Sequence, residues 1–378
     1  MNQQTNVELP NPFLFADGRE VRTTEDWLCR RKELRDLVVE IEYGGLPPTP
    51  SGVSGEALHT HKQARFLDSS YTQYRIINDD HPSFHFRLDV LTPPGEGPFP
   101  VVLTGDGCWR YIADDITMSV LRRGFILAQF SRTAIVPDIY RSDRDSALYR
   151  VYPEGKYGAL AAWAWGYQRC VDFLLTLDGV DREKIAVTGH SRGGKTALLA
   201  AATDERIALA APNDSGSGGA GCYHWQGPDS ETLADARPTI SYWYGPRLWE
   251  YLGREDEMPF DQHFLKALVA PRALLSTEAL GDLWANPTGT WQTHLAAREV
   301  YRFLDAKDRI GIWYREGGHN HGDADWQTLL DFMEWQFRGR KPAYGFNTDP
   351  FPDMQRAFSW SAPKGRTDGD PADAGADE

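Results

Sequence analysis

The residues best suited to chemistry lie in the pentapeptide GHSRG at positions 189–193. It follows the apolar run KIAVT and precedes KTALLAAAT, so a strand is predicted before it and a helix after it. This is the G-x-S-x-G pattern of a serine held in a sharp strand-to-helix turn. The helix N-terminus favours the negative charge that develops during acyl transfer. We therefore predict that Ser191 is a nucleophile rather than an ordinary turn serine.

A serine nucleophile needs a general base, and two histidines are candidates. In hydrolases with this turn the chain order is serine, acid, histidine, so the histidine should follow a late strand. The last predicted strand, GIWYRE, runs directly into the sequence GGHNH at 317–321. His319 follows the glycine pair and is the preferred base. His321 is the alternative, with a supporting or surface role if His319 is correct.

Two aspartates could supply the acid that orients the imidazole and stabilises the imidazolium. Asp282 follows the predicted strand ALLSTE, one strand before the histidine, which is the usual position. Asp214 lies one strand earlier, in the sequence NDSG at 213–216. Position favours Asp282 slightly, and the residues alone leave the choice open.

The oxyanion of an acyl-transfer intermediate needs donors aimed at the place where its charge develops. We expect one donor from Arg192, either its backbone N–H or its guanidinium, and another from the glycine-rich residues 105–107. Lys195 follows Ser191 by one helical turn. It is placed either to meet a hydroxyl-rich or anionic substrate or to face solvent.

The elements that must position these residues alternate along the chain. Strands are predicted at 74–77, 84–91, 101–103, 125–130, 184–188, 209–211, 273–276 and 311–314, with helices at 24–40, 159–177 and 326–337. Thr24 is the expected N-cap of the first helix. The alternation predicts an α/β-hydrolase fold, a doubly wound and mostly parallel sheet in a three-layer αβα sandwich.

One domain is expected over residues 1–362. It would include an N-terminal extension to about residue 70 and a lid-like insertion, rich in Trp and Tyr, at about 222–262. Residues 363–378 contain no large apolar side chain, so we predict a disordered acidic tail there.

Composition argues against several function classes. The chain has 40 basic and 54 acidic residues, which gives a formal net charge of −14. Neither nucleic acid nor a membrane is therefore an expected partner. The four cysteines are far apart and form no Cys/His cluster, so we expect free thiols and no metal. The N-terminus has no signal pattern, which fits a cytoplasmic protein, or a secreted or periplasmic one whose signal was removed. We expect a monomer.

Several separated motifs together resemble those of the glucuronoyl esterases, carbohydrate esterase family 15. They are LPNPF at 9–13, AAWAWG at 161–166, VTGHSRGGK at 187–195, NDSGSGG at 213–219, PFDQHFLKALVAPR at 259–272 and DLWANP at 282–287. The likeness covers most of the chain. His190 and Asn320 stand where fungal members have a disulfide-bonded cysteine pair, so the chain looks more like the bacterial branch. Fungal members also have Glu where this chain has Asp214.

The resemblance implies a serine carboxylesterase without a cofactor. Its substrate would be the ester between 4-O-methyl-D-glucuronic acid of glucuronoxylan and lignin alcohols, cleaved through an acyl-enzyme. Arg192 would support the oxyanion, Lys195 would contact sugar hydroxyls, and Glu231 and Trp284 match substrate-contacting positions. Two alternatives remain: another carboxylic-ester hydrolase, such as an acetyl or feruloyl esterase, and a non-catalytic carbohydrate-binding relative.

Overall fold

A nine-stranded sheet organises the part of the chain that the computed structural model describes, residues 8–108, 112–140 and 144–364. The strand order is β1-β2-β3-β5-β4-β6-β7-β8-β9. The strands are β1 (Val53–Gln63), β2 (Ser69–Asn78), β3 (His85–Thr92), β4 (Phe99–Thr104), β5 (Ile126–Phe130), β6 (Val180–His190), β7 (Leu209–Asn213), β8 (Ala273–Ala279) and β9 (Ile310–Arg315).

The sheet is antiparallel at one edge and parallel elsewhere. Strands β1, β2 and β3 pair antiparallel, and β3 is antiparallel to β5. From β5 through β4 to β9 every neighbouring pair is parallel. The carboxyl ends of β6, β7, β8 and β9 therefore meet at one edge, where loops of an open α/β sheet carry functional groups.

Helices cover both faces of this sheet. They are α1 (Thr24–Val38), α2 (Asp114–Arg122), α3 (Ala147–Val151), α4 (Ala159–Leu174), α5 (Arg192–Thr203), α6 (Leu233–Ile240), α7 (Gln262–Val269), α8 (Pro287–Phe303) and α9 (Asp323–Arg338). In β4, Val101 and Leu103 join one core cluster and Val102 the other. Helices α4, α5, α7 and α8 pack into the first cluster, and α2 and α9 into the second. The predicted three-layer, mostly parallel α/β architecture is confirmed.

Two local predictions are corrected near the N-terminus. The N-cap of α1 is Thr23, not Thr24: the Thr23 hydroxyl accepts a hydrogen bond from the Asp26 amide, and the Asp26 carboxylate accepts one from the Thr23 amide. This reciprocal capping box satisfies two amides at once, which a cap at Thr24 would not. The edge strand β1 was not predicted, because its side chains are mostly exposed and give no apolar alternation.

The insertion predicted at 222–262 contains α6 and several short 3₁₀ turns. Its residues Trp243, Tyr244 and Leu248 are buried in the first core cluster, so the segment is anchored on the domain body. The tail prediction falls almost entirely on residues 365–378, outside the described ranges. All four cysteines are free thiols, as expected. No helix of the described residues has the length and apolarity needed to cross a bilayer.

Glu42 is a fully buried carboxyl in the π-helical turn Val39–Tyr43 that continues α1. One of its oxygens accepts hydrogen bonds from the Tyr223 hydroxyl at 2.9 Å and the Gln262 amide at 2.8 Å. The other oxygen has no hydrogen-bond partner among the residues described. Burial raises the pKa of Glu42 from 4.5 to about 8, because the charged form is poorly solvated there.

The native protein should therefore hold a proton on Glu42 that the unfolded chain releases above pH 4.5. The free energy of unfolding then falls as pH rises from 4.5 towards 8, by at most about 1.4 kcal/mol per pH unit from this group. We expect Glu42→Gln to weaken that decline in urea titrations at pH 5, 6, 7 and 8. The exposed neighbour Glu40, changed to Gln, is the control. Parallel pH curves for wild type and Glu42→Gln would contradict the expectation.

Candidate active site

The predicted nucleophile turn is present between β6 and α5. Ser191 has φ 56° and ψ −121°, a strained conformation for a residue with a side chain and one typical of a nucleophile turn. Gly189 and Gly193 permit it. A Cβ on Gly189 would lie 2.4 Å from the Gly193 carbonyl oxygen, and one on Gly193 would lie 2.2 Å from Oδ1 of Asp106. Gly189 is thus required by close backbone approach, and Gly193 by the buried Asp106 carboxylate.

The turn is held from both neighbouring strands. Asp106, buried after β4, accepts the backbone N–H of His190 at 2.8 Å and the guanidinium of buried Arg132. On the other side, the backbone N–H of Ser191 donates to the carbonyl of Asn213, at the end of β7, at 2.9 Å. Buried, charge-assisted bonds of this kind keep a strained turn in place.

A histidine and an aspartate lie beside the turn. Nδ1 of His319 is 2.5 Å from Oδ2 of Asp282. The His319 ring lies 4.3 Å from the ring of His190, the residue before the nucleophile. The His321 ring is farther from the His190 ring, at 6.0 Å, and stacks on Trp326 at 5.0 Å. The geometry favours His319 as the base and His321 as a packing residue.

Asp214 also reaches this place, but its carboxylate has other partners. Oδ1 accepts the Ala279 amide at 2.7 Å, and Oδ2 accepts the Arg315 guanidinium at 2.8 Å and the Asn320 amide at 3.3 Å. Burial raises the pKa of Asp214 to about 7; Arg315 opposes the rise and Asp282 adds to it. Both candidate acids therefore converge on the histidine loop, but Asp282 contacts the ring.

Asp214, Asp282 and His319 are also the only trio of potential metal ligands within the described ranges, with one ligand atom of each inside 4.8 Å. The Arg315 guanidinium already supplies positive charge to Asp214, and Asp282 is committed to the imidazole. A metal ion would have to break both contacts. The donor set fits proton transfer better than metal binding.

Arg192 directly follows Ser191, and residues of other segments hold its guanidinium. It donates to Oδ2 of Asp138 at 2.8 Å and lies over the Trp243 ring, 4.7 Å from its centroid. Oδ1 of Asp138 in turn accepts from the Tyr242 hydroxyl at 2.9 Å and from Trp243 Nε1 at 3.0 Å. Residues of the insertion thus fix the arginine beside the serine. Sequence reasoning missed Asp138, because no motif surrounds it.

The prediction that residues 105–107 supply an oxyanion donor is wrong. The amide of Gly105 donates to the Tyr167 hydroxyl at 2.7 Å, and that of Asp106 to Thr104 Oγ1 at 3.3 Å. The amide of Gly107 donates to the Phe130 carbonyl at 3.0 Å. These N–H groups stabilise the loop itself, so they are not available to a substrate oxygen.

Lys195, Glu231 and Trp284, which come from separate parts of the chain, lie together. The buried Lys195 Nζ donates to the carbonyls of Ser215 at 2.7 Å and of Ser217, and lies 3.6 Å from Glu231 Oε2. The Glu231 amide donates to the Trp284 carbonyl at 3.0 Å. Burial lowers the pKa of Lys195, and Glu231 opposes this. The Trp284 side chain is half exposed, a surface on which a sugar ring can pack.

The fold and this geometry define a candidate serine hydrolase of the α/β-hydrolase class. A family model described as fungal glucuronyl esterase matches residues 76–305. The chain is 32% identical over 325 residues to a 4-O-methyl-glucuronoyl methylesterase of Podospora anserina, which is 83% of this chain and 64% of that protein. This chain thus spans less than two thirds of that relative's length.

Solved structures agree. A carbohydrate esterase family 15 glucuronoyl esterase from Caldicellulosiruptor kristjansonii superposes with a TM-score of 0.82 and 31% identity over 96% of this chain and 99% of that one. A serine-to-alanine variant of the glucuronoyl esterase from Sporotrichum thermophile, solved with methyl 4-O-methyl-β-D-glucopyranuronate, gives a TM-score of 0.75 and 26% identity, covering 91% and 92% of the two chains. The chain belongs to the glucuronoyl esterase family, carbohydrate esterase family 15.

Proposed function

We propose that this chain is a serine carboxylesterase that cleaves esters of D-glucuronic acid. Ser191 is the nucleophile, His319 the general base and Asp282 the acid that orients it. The observation that carries the proposal is the 2.5 Å contact between His319 and Asp282 beside the strained Ser191. This is the arrangement that activates a serine hydroxyl.

The reaction then runs in two half-reactions. His319 removes the Ser191 proton as Oγ attacks the ester carbonyl, and Asp282 stabilises the imidazolium through Nδ1–H. The tetrahedral intermediate collapses when the imidazolium gives its proton to the departing alcohol. Water, activated by the same histidine, then cleaves the acyl-enzyme and releases the uronic acid.

Arg192 is the donor we assign to the oxyanion. It directly follows Ser191, and its backbone N–H is at the N-terminus of α5, where the first amides have no intrahelical acceptor. Asp138 and Trp243 hold the guanidinium in one orientation. A fixed cation costs little reorganisation when negative charge develops on the carbonyl oxygen.

Lys195, Glu231 and Trp284 form the sugar-binding side of the site. Lys195 Nζ and Glu231 offer a donor and an acceptor to ring hydroxyls, and the exposed indole of Trp284 packs on the pyranose. We propose 4-O-methyl-D-glucuronic acid of glucuronoxylan as the acyl part and a lignin alcohol as the leaving group. The methyl 4-O-methylglucuronate bound by the Sporotrichum relative supports the acyl part. We further expect a monomer without nucleic-acid or membrane partners, in line with the net charge of −14.

Two substrates that share one leaving group test the substrate class. Benzyl D-glucuronate and benzyl acetate release the same alcohol, so a difference between them reports recognition of the acyl part alone. We expect kcat/KM for the glucuronate to be on the order of 10²-fold higher than for the acetate. Only the glucuronate has a sugar ring that can contact Lys195, Glu231 and Trp284. Turnover of the acetate alone would keep the serine hydrolase and reject the glucuronoyl proposal. Turnover of neither would favour a carbohydrate-binding protein.

Removing the stacking surface should weaken binding more than chemistry. Trp284→Ala is expected to raise KM for benzyl D-glucuronate about ten-fold and to change kcat much less, since the indole contacts the sugar and not the ester. Steady-state kinetics with both benzyl esters checks this. The same loss on benzyl acetate would show that Trp284 supports the site generally and does not bind the sugar.

A further inference from the structure

Arg315, at the end of β9, donates hydrogen bonds from all three guanidinium nitrogens to groups in and around the loop that carries His319. Nε donates to both carboxylate oxygens of Asp325, at 2.8 and 2.9 Å. Nη1 donates to the carbonyl of Gly318 at 3.0 Å and more weakly to that of Glu316 at 3.3 Å. The Arg315 side chain is only 12% exposed and its bonds to Asp325 are partly buried, whereas its bonds to the two loop carbonyls lie at the surface.

These bonds form a clamp around the histidine loop, and Nη2 extends this Arg315 clamp to Asp214, the other candidate acid. It donates to Oδ2 of Asp214 at 2.8 Å and to the carbonyl of Asn320. The carbonyls of Gly318 and Asn320 flank His319 on either side along the chain. Asp325, the third anchor, also accepts the Gly322 amide at 2.9 Å and caps α9. One guanidinium therefore ties β9, the histidine loop, α9 and the end of β7 together.

We propose that Arg315 is the positioning residue of His319, and that it holds the Asp214 carboxyl group in a structural role so that Asp282 alone acts as the catalytic acid. This inference rests on the proposed function for its assignment of His319. Arg315 acts without touching the substrate, and its bond to Asp214 explains why only one of the two adjacent acids is used as the catalytic acid.

The charges support this division of roles. Asp214 and Asp282 lie close together, and repulsion from the negative charge of Asp282 adds to the rise in the pKa of Asp214. A guanidinium on Asp214 offsets that repulsion, while Oδ1 of Asp214 is already used by the Ala279 amide. Asp214 thus has no oxygen directed only to the imidazole, whereas Oδ2 of Asp282 contacts Nδ1 directly. Bidentate and forked bonding of this kind is specific to arginine.

The test compares Arg315→Met and Arg315→Lys with wild type on benzyl D-glucuronate. We expect Arg315→Met to lower kcat about 10²-fold with KM changed less than three-fold, because a small displacement of the base slows chemistry but leaves the sugar contacts intact. Arg315→Lys should recover part of the loss by keeping the charge. Arg338→Met is the matched control, since Arg338 also binds two loop carbonyls and a carboxylate, at the other end of α9. It should lower the melting temperature without lowering kcat.

The two acids are separated by Asp214→Asn and Asp282→Asn. We expect Asp282→Asn to cost at least about 10²-fold more in kcat than Asp214→Asn. The double variant Asp214→Asn with Arg315→Met should be no slower than Arg315→Met alone, because both changes disable one clamp. An Asp214→Asn loss as large as that of Asp282→Asn, or additive losses in the double variant, would overturn the proposal.

A fluorophosphonate probe keeps this test independent of the substrate. Its rate of reaction with Ser191 requires an activated hydroxyl but no glucuronate. We expect Arg315→Met to slow labelling by a factor similar to that in kcat. Normal labelling of Arg315→Met would overturn the proposal. Labelling that depends on Arg315 in a protein that does not hydrolyse glucuronate esters would reject the proposed substrate and leave the role of Arg315 standing.

Discussion

Ser191→Ala is expected to lower kcat for benzyl D-glucuronate by about 10⁵-fold or more. Without Oγ no acyl-enzyme can form, and the residual rate would come only from the oxyanion donors and substrate binding. The backbone of the turn should persist, because its bonds come from the Asp106 carboxylate and the Asn213 carbonyl and not from the serine hydroxyl.

Chromatography of released benzyl alcohol measures this loss over the necessary range. Ser359→Ala, at an exposed serine near the C-terminal end of the described residues, is the control and should match wild type. The Ser191 variant should still bind the ester with a dissociation constant near the wild-type KM. Turnover within ten-fold of wild type would reject Ser191 as the nucleophile.

His319→Ala is expected to lower kcat by about 10⁴-fold, whereas His321→Ala should stay within about ten-fold of wild type. His319 contacts Asp282, and its ring lies nearer than that of His321 to the ring of His190, so we expect it to accept the Ser191 proton. The ring of His321 packs on Trp326, so its loss should affect the loop's stability more than the proton transfer.

The two histidine variants serve as controls for each other, because they alter the same short loop. Steady-state kinetics should be paired with melting temperatures to separate chemistry from loop stability. A kcat loss for His321→Ala as large as that for His319→Ala would contradict the assignment of His319 as the general base.

The central strands could be predicted from sequence because their residues are apolar runs buried on both faces. Strand β1 could not, since an exposed edge strand carries no such pattern. Ser191 and His319 were identifiable because a local motif and the order of strands suffice for them. Both are recognisable from the residue types of short stretches of chain, although bonds from distant segments hold those stretches in place.

The rest of the site depends on contacts between distant segments. Asp282 and Asp214 both follow sheet strands, and only the side-chain partners distinguish them. Asp138 and Arg315 have no motif of their own; their roles arise from what lies across the fold. Residues 105–107 have the expected position for an oxyanion loop, but their amides are used by Tyr167, Thr104 and Phe130, which sequence spacing could not reveal.

The most direct test is the release of methanol from methyl 4-O-methyl-D-glucuronate by the wild-type protein and by Ser191→Ala, with fluorophosphonate labelling of both in parallel. We expect methanol release and labelling by the wild type and neither by the variant. Labelling of the wild type without methanol release would show that Ser191 is reactive but that glucuronate esters are not its substrates.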